Sequence, residues 1–276
     1  MFGRLATLAF AGCCVAILAS PVTLAQSYRQ AGISPIFDGW EELPDGTRLF
    51  YFGYINRGPE VVVPLGPDNS FEPGPADRGQ PTTFLPGRHE HVFTIPVTAK
   101  FTGKLVWTAK LAVGTQHTAN ASFDQLYMLE QIENADPNAK PPIIKIADVA
   151  AKVGQPVQLN PATTPAVNSG RVEVEGAAAE TAGLTVTWSK HRGPGAVVFT
   201  DVPRAAAPAP EAGRGRGRGA EAPRPGLHPV ACGVKPAASC GAVVARFSEP
   251  GVYTLRLAAR QDGLQGLAFG KVTVTP

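Results

Sequence analysis

The chain has 276 residues, 44% hydrophobic and 17% charged, enough for two domains with separate cores. Its formal net charge is +3, and the arginines from Arg204 to Arg224, set against Glu211 and Glu221, supply all of it. That excludes the domain-wide basic bias of a nucleic-acid binder, and 30 glycines with 27 prolines exclude a fold of long helices.

Residues 1–25 come first and read as a secretory signal peptide. Arg4 precedes an apolar run from Leu5 to Leu18, Ser20-Pro21 breaks it, and Thr23-Leu24-Ala25 offers small residues for cleavage. A second reading is a lipoprotein signal ending at Cys13, although Phe10 stands where Leu or Val is wanted and the apolar run continues past the cysteine. No later segment reaches 18 apolar residues, so no transmembrane span is expected in the mature chain.

After the signal, short runs rich in Val, Thr, Tyr and Phe alternate with Pro, Gly, Asn and Asp clusters. This is an all-β pattern, and it predicts two β-sandwiches in tandem. The first spans 26–133, with strands at Ile36–Glu42, Arg48–Asn56, Val61–Pro64, His91–Val97, Leu105–Val113 and Thr118–Phe123. Pro44-Asp45-Gly46 predicts a hairpin turn between the first two. Leu65 to Arg88 reads as a long loop that Phe71 and Phe84 could pin, with a contact surface for a partner. Ser122 to Asn134 fits either a last strand or a short helix capped by Ser122, and strand is adopted here.

Residues 134–142 (NADPNAKPP) form a proline-rich linker. The second domain spans 143–276, with strands at Ile143–Ile146, Pro156–Leu159, Leu184–Ser189, Val197–Thr200, Ala242–Phe247, Val252–Ala259 and Ala268–Thr275. Such short, evenly spaced strands suit an immunoglobulin-like sandwich, with Trp188 as a core tryptophan and Tyr253 as a tyrosine corner. Between the fourth and fifth strands lies an Arg/Gly/Pro-rich insert, about 204–226, containing AGRGRGRG. Its composition cannot build a core, so a disordered loop is expected, and without interleaved aromatics it makes no nucleic-acid platform. Cys232 and Cys240 remain after cleavage as an even pair and are expected to form a disulfide.

VGQPVQLNP, LTVTWSKHRGPGAVVFTD and ARFSEPGVYTLRLAARQDG resemble the PKD and Ig-like modules of bacterial exported proteins. The resemblance covers roughly the last 135 residues and implies a fold rather than an activity. The WDFGDG signature of a strict PKD domain is missing, so PKD/Ig-like is the description that fits. The first block, with GWEELPDGTRLFYFGYINRG, is similar to the N-terminal part of uncharacterised bacterial exported proteins.

Candidate sites are few. Trp40, Tyr51, Tyr54, Phe71 and Phe84, with Trp107, could offer an aromatic ligand surface for an envelope polysaccharide or protein. Asp68, Asn69, Glu72 and Asp77 could supply oxygen ligands to Ca2+, without a patterned spacing. His89 and His91 share a strand face at a spacing of two, and with His117 they could bind zinc; no further ligand completes the set. His191 is expected to face solvent. Asn120-Ala121-Ser122 matches an N-glycosylation acceptor. No nucleophile elbow, zinc-protease helix or phosphate loop occurs, so no catalytic residue is assigned. The expected function is non-catalytic binding, adhesion or an accessory role in the envelope of an exported protein, without a cofactor. The alternative is a secreted hydrolase of glycan or peptide using carboxylates of the first domain, with those of the long loop, Asp68, Glu72 and Asp77, as acid and base; Asp38, Glu41, Glu42 and Asp45 form a second cluster near the first hairpin.

Overall fold

The structure is a computed structural model that describes residues 32–43, 45–111, 116–129, 139–167, 183–202, 225–232 and 240–276. The segment expected to be a signal peptide, most of the expected linker and the Arg/Gly repeat expected to be disordered fall outside these residues. Among the described residues the chain is strands and turns, with a single turn of 3-10 helix at Gln125–Tyr127. No described helix is long and apolar enough to cross a membrane.

The first sandwich stacks two sheets. One has the order β1-β2-β6, from β1 (Ile33–Glu42), β2 (Arg48–Asn56) and β6 (Gly87–Val97). The other has the order β4-β7-β8, from β4 (Asn69–Glu72), β7 (Leu105–Ala109) and β8 (His117–Ala121). A two-stranded pair of β3 (Val61–Val62) and β5 (Thr83–Phe84) closes one end. Alternation in β2 explains the core: Phe50, Phe52 and Tyr54 point inward and are buried, whereas Leu49, Tyr51 and Ile55 on the other face are half-buried. Phe52 stacks on Phe93 at 5.4 Å, Phe71 stacks on Trp107 at 5.9 Å, and Phe93 meets Trp107 edge-on at 5.2 Å.

The stretch from Leu65 to Arg88 is therefore not a simple loop, because it contains β4 and β5. Asn69 organises it from inside the core. Trp107 Nε1 donates to Asn69 Oδ1 (3.1 Å), and Asn69 Nδ2 donates to the carbonyls of Val63 (3.0 Å) and Pro81 (2.8 Å). Both donors and the oxygen of the Asn69 amide thus have partners, so its full burial is tolerable. The described part of the Ser122–Asn134 stretch, residues 122–129, also differs from expectation, and 130–134 lie outside the described residues. Asp124, rather than Ser122, caps the 3-10 turn by accepting from Leu126 N–H (3.0 Å). Leu129 N–H then donates to Trp40 O (2.7 Å), tying the chain to β1.

The second sandwich has a five-stranded sheet of order β10-β18-β17-β13-β15. Its members are β10 (Val149–Lys152), β13 (Thr185–Arg192), β15 (His228–Ala231), β17 (Gly251–Gln261) and β18 (Leu264–Thr275), with β10 parallel to β18. The facing sheet is β11-β16-β14, from β11 (Val157–Leu159), β14 (Val197–Asp201) and β16 (Val243–Phe247). A further pair joins β9 (Ile143–Lys145) to β12 (Ala162–Thr164). Lys140, expected in the linker, pairs with Val167 through both backbone hydrogen bonds.

Trp188 is fully buried and donates from Nε1 to Gly241 O (2.7 Å). Tyr253 makes the expected corner: its hydroxyl donates to Glu249 O (2.9 Å), four residues back, and accepts from Gly195 N–H (3.1 Å). Gly193, at φ +140°, gives the reason for the GPG segment, because a Cβ there would collide with the Tyr253 ring. Cys232 and Cys240 are disulfide-bonded, with Cα atoms 5.0 Å apart, and fasten the end of β15 to the start of β16.

Candidate functional site

The residues expected to form an aromatic ligand surface go elsewhere. Trp40, Tyr54, Phe71 and Phe84 are all buried in the first core, and so is Trp107. Bulky apolar rings on a strand facing a second sheet gain more from burial than from exposure, which overrides the surface reading. Tyr51 alone stays partly accessible. Its hydroxyl donates to the Glu41 carboxylate, and burial with that carboxylate pushes it well above the ordinary phenol range.

The Ca2+ residues are likewise not gathered around a common point. Asn69 is spent on the core contacts given above. Asp68 and Glu72 are exposed, and Asp77 faces the second sandwich. Among the described residues no group of three or more His, Cys, Asp or Glu is placed to hold a metal ion.

The histidines are separated by a feature that spacing does not reveal. His117 lies on β8, in the opposite sheet from β6. On β6 itself a bulge places Glu90, His91 and Val92 against the single residue Gly53. His91 sits there at φ +48°. The alternation of faces is lost, so the His89 ring packs at a tilt on Tyr54 (4.9 Å) while the His91 ring meets Tyr51 (5.0 Å), on the other side of β2. Asp38 holds the bulge: its Oδ2 accepts from His91 N–H (2.8 Å). A Cβ at Gly53 would strike both that carboxylate and the His89 carbonyl, so the close approach requires glycine. Burial raises the Asp38 carboxyl above its ordinary range against the His91 N–H and the nearby Arg88 charge.

The bulge lies where the two sandwiches meet, and this seam is the polar centre of the molecule. Thr82 N–H donates to His191 O (3.0 Å). His191 Nε2 donates to Gly79 O (2.8 Å), and Arg192 Nε donates to Gln80 O (2.8 Å). The Arg192 guanidinium grips Asp77 through two nitrogens (2.7 and 3.0 Å), which holds that carboxyl below its usual range. Lys190, nearly buried, reaches Glu60 (3.2 Å) and Gly195 O (2.9 Å). Arg256 donates Nε to Val92 O (2.8 Å) and a terminal nitrogen to His91 O (3.0 Å). His191, expected to face solvent, is 3% exposed, and burial pushes its imidazole down to about 3.

Beside the seam is a cleft of about 420 Å³. Arg88, His89 and Glu90 of β6 line it from the first sandwich, and Thr187, Arg256 and Arg260 line it from the second. Arg256 and Arg260 are two of every second residue on β17, so one face of that strand presents both. Glu90 accepts from Arg88 Nε (2.7 Å) and is held below its ordinary range, with Arg88 as the main cause. Leu227, on the cleft wall, follows directly on Gly226, which packs on Leu85 of the first sandwich. Nothing in the sequence pointed to this site, because its arginines come from strands of two different sandwiches and share no local motif.

The solved structures found similar include chimeric titin Z1Z2, at 13% identity over 89% of this chain and 99% of that one, with a TM-score of 0.25. Sidekick-1 immunoglobulin domains 1–5 match at 11% identity over 88% of this chain and 39% of that one (TM-score 0.24). The D0–D1 domain of intimin matches at 12% over 89% and 100% (TM-score 0.25). Among the described residues the chain is an all-β protein of stacked sheets. Likeness at these identities and scores carries no argument about partners. No family model and no curated protein matches the sequence.

Proposed function

We propose that this is an exported, non-catalytic binding protein in which two Ig-like sandwiches act as one body and recognise a protein or polysaccharide of the cell envelope. The observation that carries this is the chemistry of the cleft: it is walled by arginines, and its carboxylate, Glu90, is already held by Arg88. A glycoside hydrolase uses two carboxylates on either side of the scissile bond. Here the carboxylates near the first hairpin serve the fold instead, and of the loop carboxylates Asp77 is held by Arg192 while Asp68 and Glu72 are exposed. Asp38 supports the β6 bulge, Glu41 holds Tyr51, Glu42 pairs with Arg48 (2.7 Å) and Asp45 caps the turn at Thr47 (2.9 Å). The disulfide supports an oxidising compartment, in line with the signal-like first 25 residues. The reading needs no cofactor.

The test is incubation of the pure protein with isolated envelope polysaccharide and peptidoglycan, measuring both retention and product release. Retention with no new reducing ends or free amines is expected. Steady release of cleaved product would contradict the proposal and favour a hydrolase.

A further inference from the structure

We infer that the cleft between the sandwiches is an oxyanion site that takes an acidic sugar residue, with Arg256 and Arg260 as its floor and Arg88 at its rim. The inference rests on the binding reading above and names the ligand class for the same cleft.

The argument starts from Arg256. It is only 9% exposed, and the acceptors it reaches are the neutral carbonyls of Val92 and His91. Among the described residues no carboxylate lies within ion-pair distance of it. Removing a guanidinium from water without a counter-charge is costly. Burial and the neighbouring Arg260 charge both act against it, holding its guanidinium down to about 10. Hydrogen bonds to carbonyls offset part of that cost, but only an anion offsets the charge.

The cleft supplies the place for one. Arg260 stands four residues further along β17 on the same face, with its Nε on Gln265 (2.9 Å). Three arginines line the cleft against one glutamate, and that glutamate is engaged at the rim by Arg88. Guanidinium pairs bind carboxylate, sulfate or phosphate in a forked, charge-assisted geometry. The size argues for more than a bare ion. About 420 Å³ is the space of roughly a dozen waters and falls within the range of small-molecule pockets. Thr187 in the wall adds a hydroxyl suited to a sugar, and the lining is too polar for an apolar ligand.

The experiment is isothermal titration of the full chain, at low salt, with glucuronate, glucose 6-sulfate and glucose. Arg260→Gln and Arg88→Gln are measured alongside, because both side chains are accessible and their thermal midpoints should match the parent. Saturable binding of an acidic sugar, absent for glucose and weakened about ten-fold or more in Arg260→Gln, is the expected result. Tighter binding of glucuronate would assign a carboxylate ligand, and tighter binding of the sulfate ester a sulfated or phosphorylated one. No saturable heat with either, equal affinity for glucose, or unchanged affinity in Arg260→Gln would overturn the site. Acidic-sugar binding without retention on envelope polymer would support the site while refuting the wider function. Polymer retention that is indifferent to Arg260→Gln would do the reverse.

Discussion

His191 shows how one side chain can tie stability to pH. Its imidazole is pushed down to about 3 by burial, with Gly79 O fixing the proton on Nε2. The unfolded chain protonates it near 6.5, and the folded one does not. A group whose folded value is depressed gives stability that is complete above the unfolded value and is lost as pH falls towards the folded one. We expect about 2 kcal/mol of stability to disappear between pH 6.5 and 5, measured by urea unfolding, with a flatter profile in His191→Gln. A parent profile flat over that range would contradict the buried assignment. Asn69 makes a second point at this scale. Replacing it by Leu strands the Trp107 N–H and the carbonyls of Val63 and Pro81 inside the core. A loss of at least about 3 kcal/mol is expected in chemical denaturation.

Strands and turns carry the next layer. The GPG turn and the tyrosine corner are one device: Gly193 clears the ring, and Gly195 N–H feeds the hydroxyl that also reaches Glu249 O. Tyr253→Phe removes both hydrogen bonds and keeps the ring, so a loss of about 1–3 kcal/mol is expected, read from the denaturation midpoint. The Cys232–Cys240 bond closes a short loop, and Cys232→Ser with Cys240→Ser should cost about 2–3 kcal/mol under oxidising conditions. Under reducing conditions that difference should vanish.

These elements were legible because their signals are local. Trp188, Tyr253 and the cysteine pair sit in patterns a few residues long. The strands β4 and β5 were not legible, because two to four residues in a Pro/Gly-rich stretch carry no periodicity, and Asn69 becomes a core residue only when Trp107 arrives from β7. The β6 bulge defeated the histidine face argument in the same way. Its extra residues are registered by Gly53 on another strand, not by anything near His91.

The whole molecule depends on contacts that span more than a hundred residues. Arg192 to Asp77, His191 to Gly79 and Arg256 to Val92 join the sandwiches through groups that a sequence presents as surface polars. Each looks solvated until the other sandwich covers it, and this is why the seam and its cleft were invisible to composition and spacing. The covered face also explains β17, where Leu255 to Ala259 is buried without a break. One face of that strand belongs to its own core, and the other meets β6. The central claim is that these contacts make two sandwiches into one rigid recognition body. Residual dipolar couplings of backbone amides in the full chain, aligned in a dilute liquid crystal, test it most directly. A single alignment tensor should fit the strands of both sandwiches, and Arg192→Gln with Arg256→Gln should split it. Two tensors of different magnitude in the parent protein would show that the sandwiches move independently and would contradict the account.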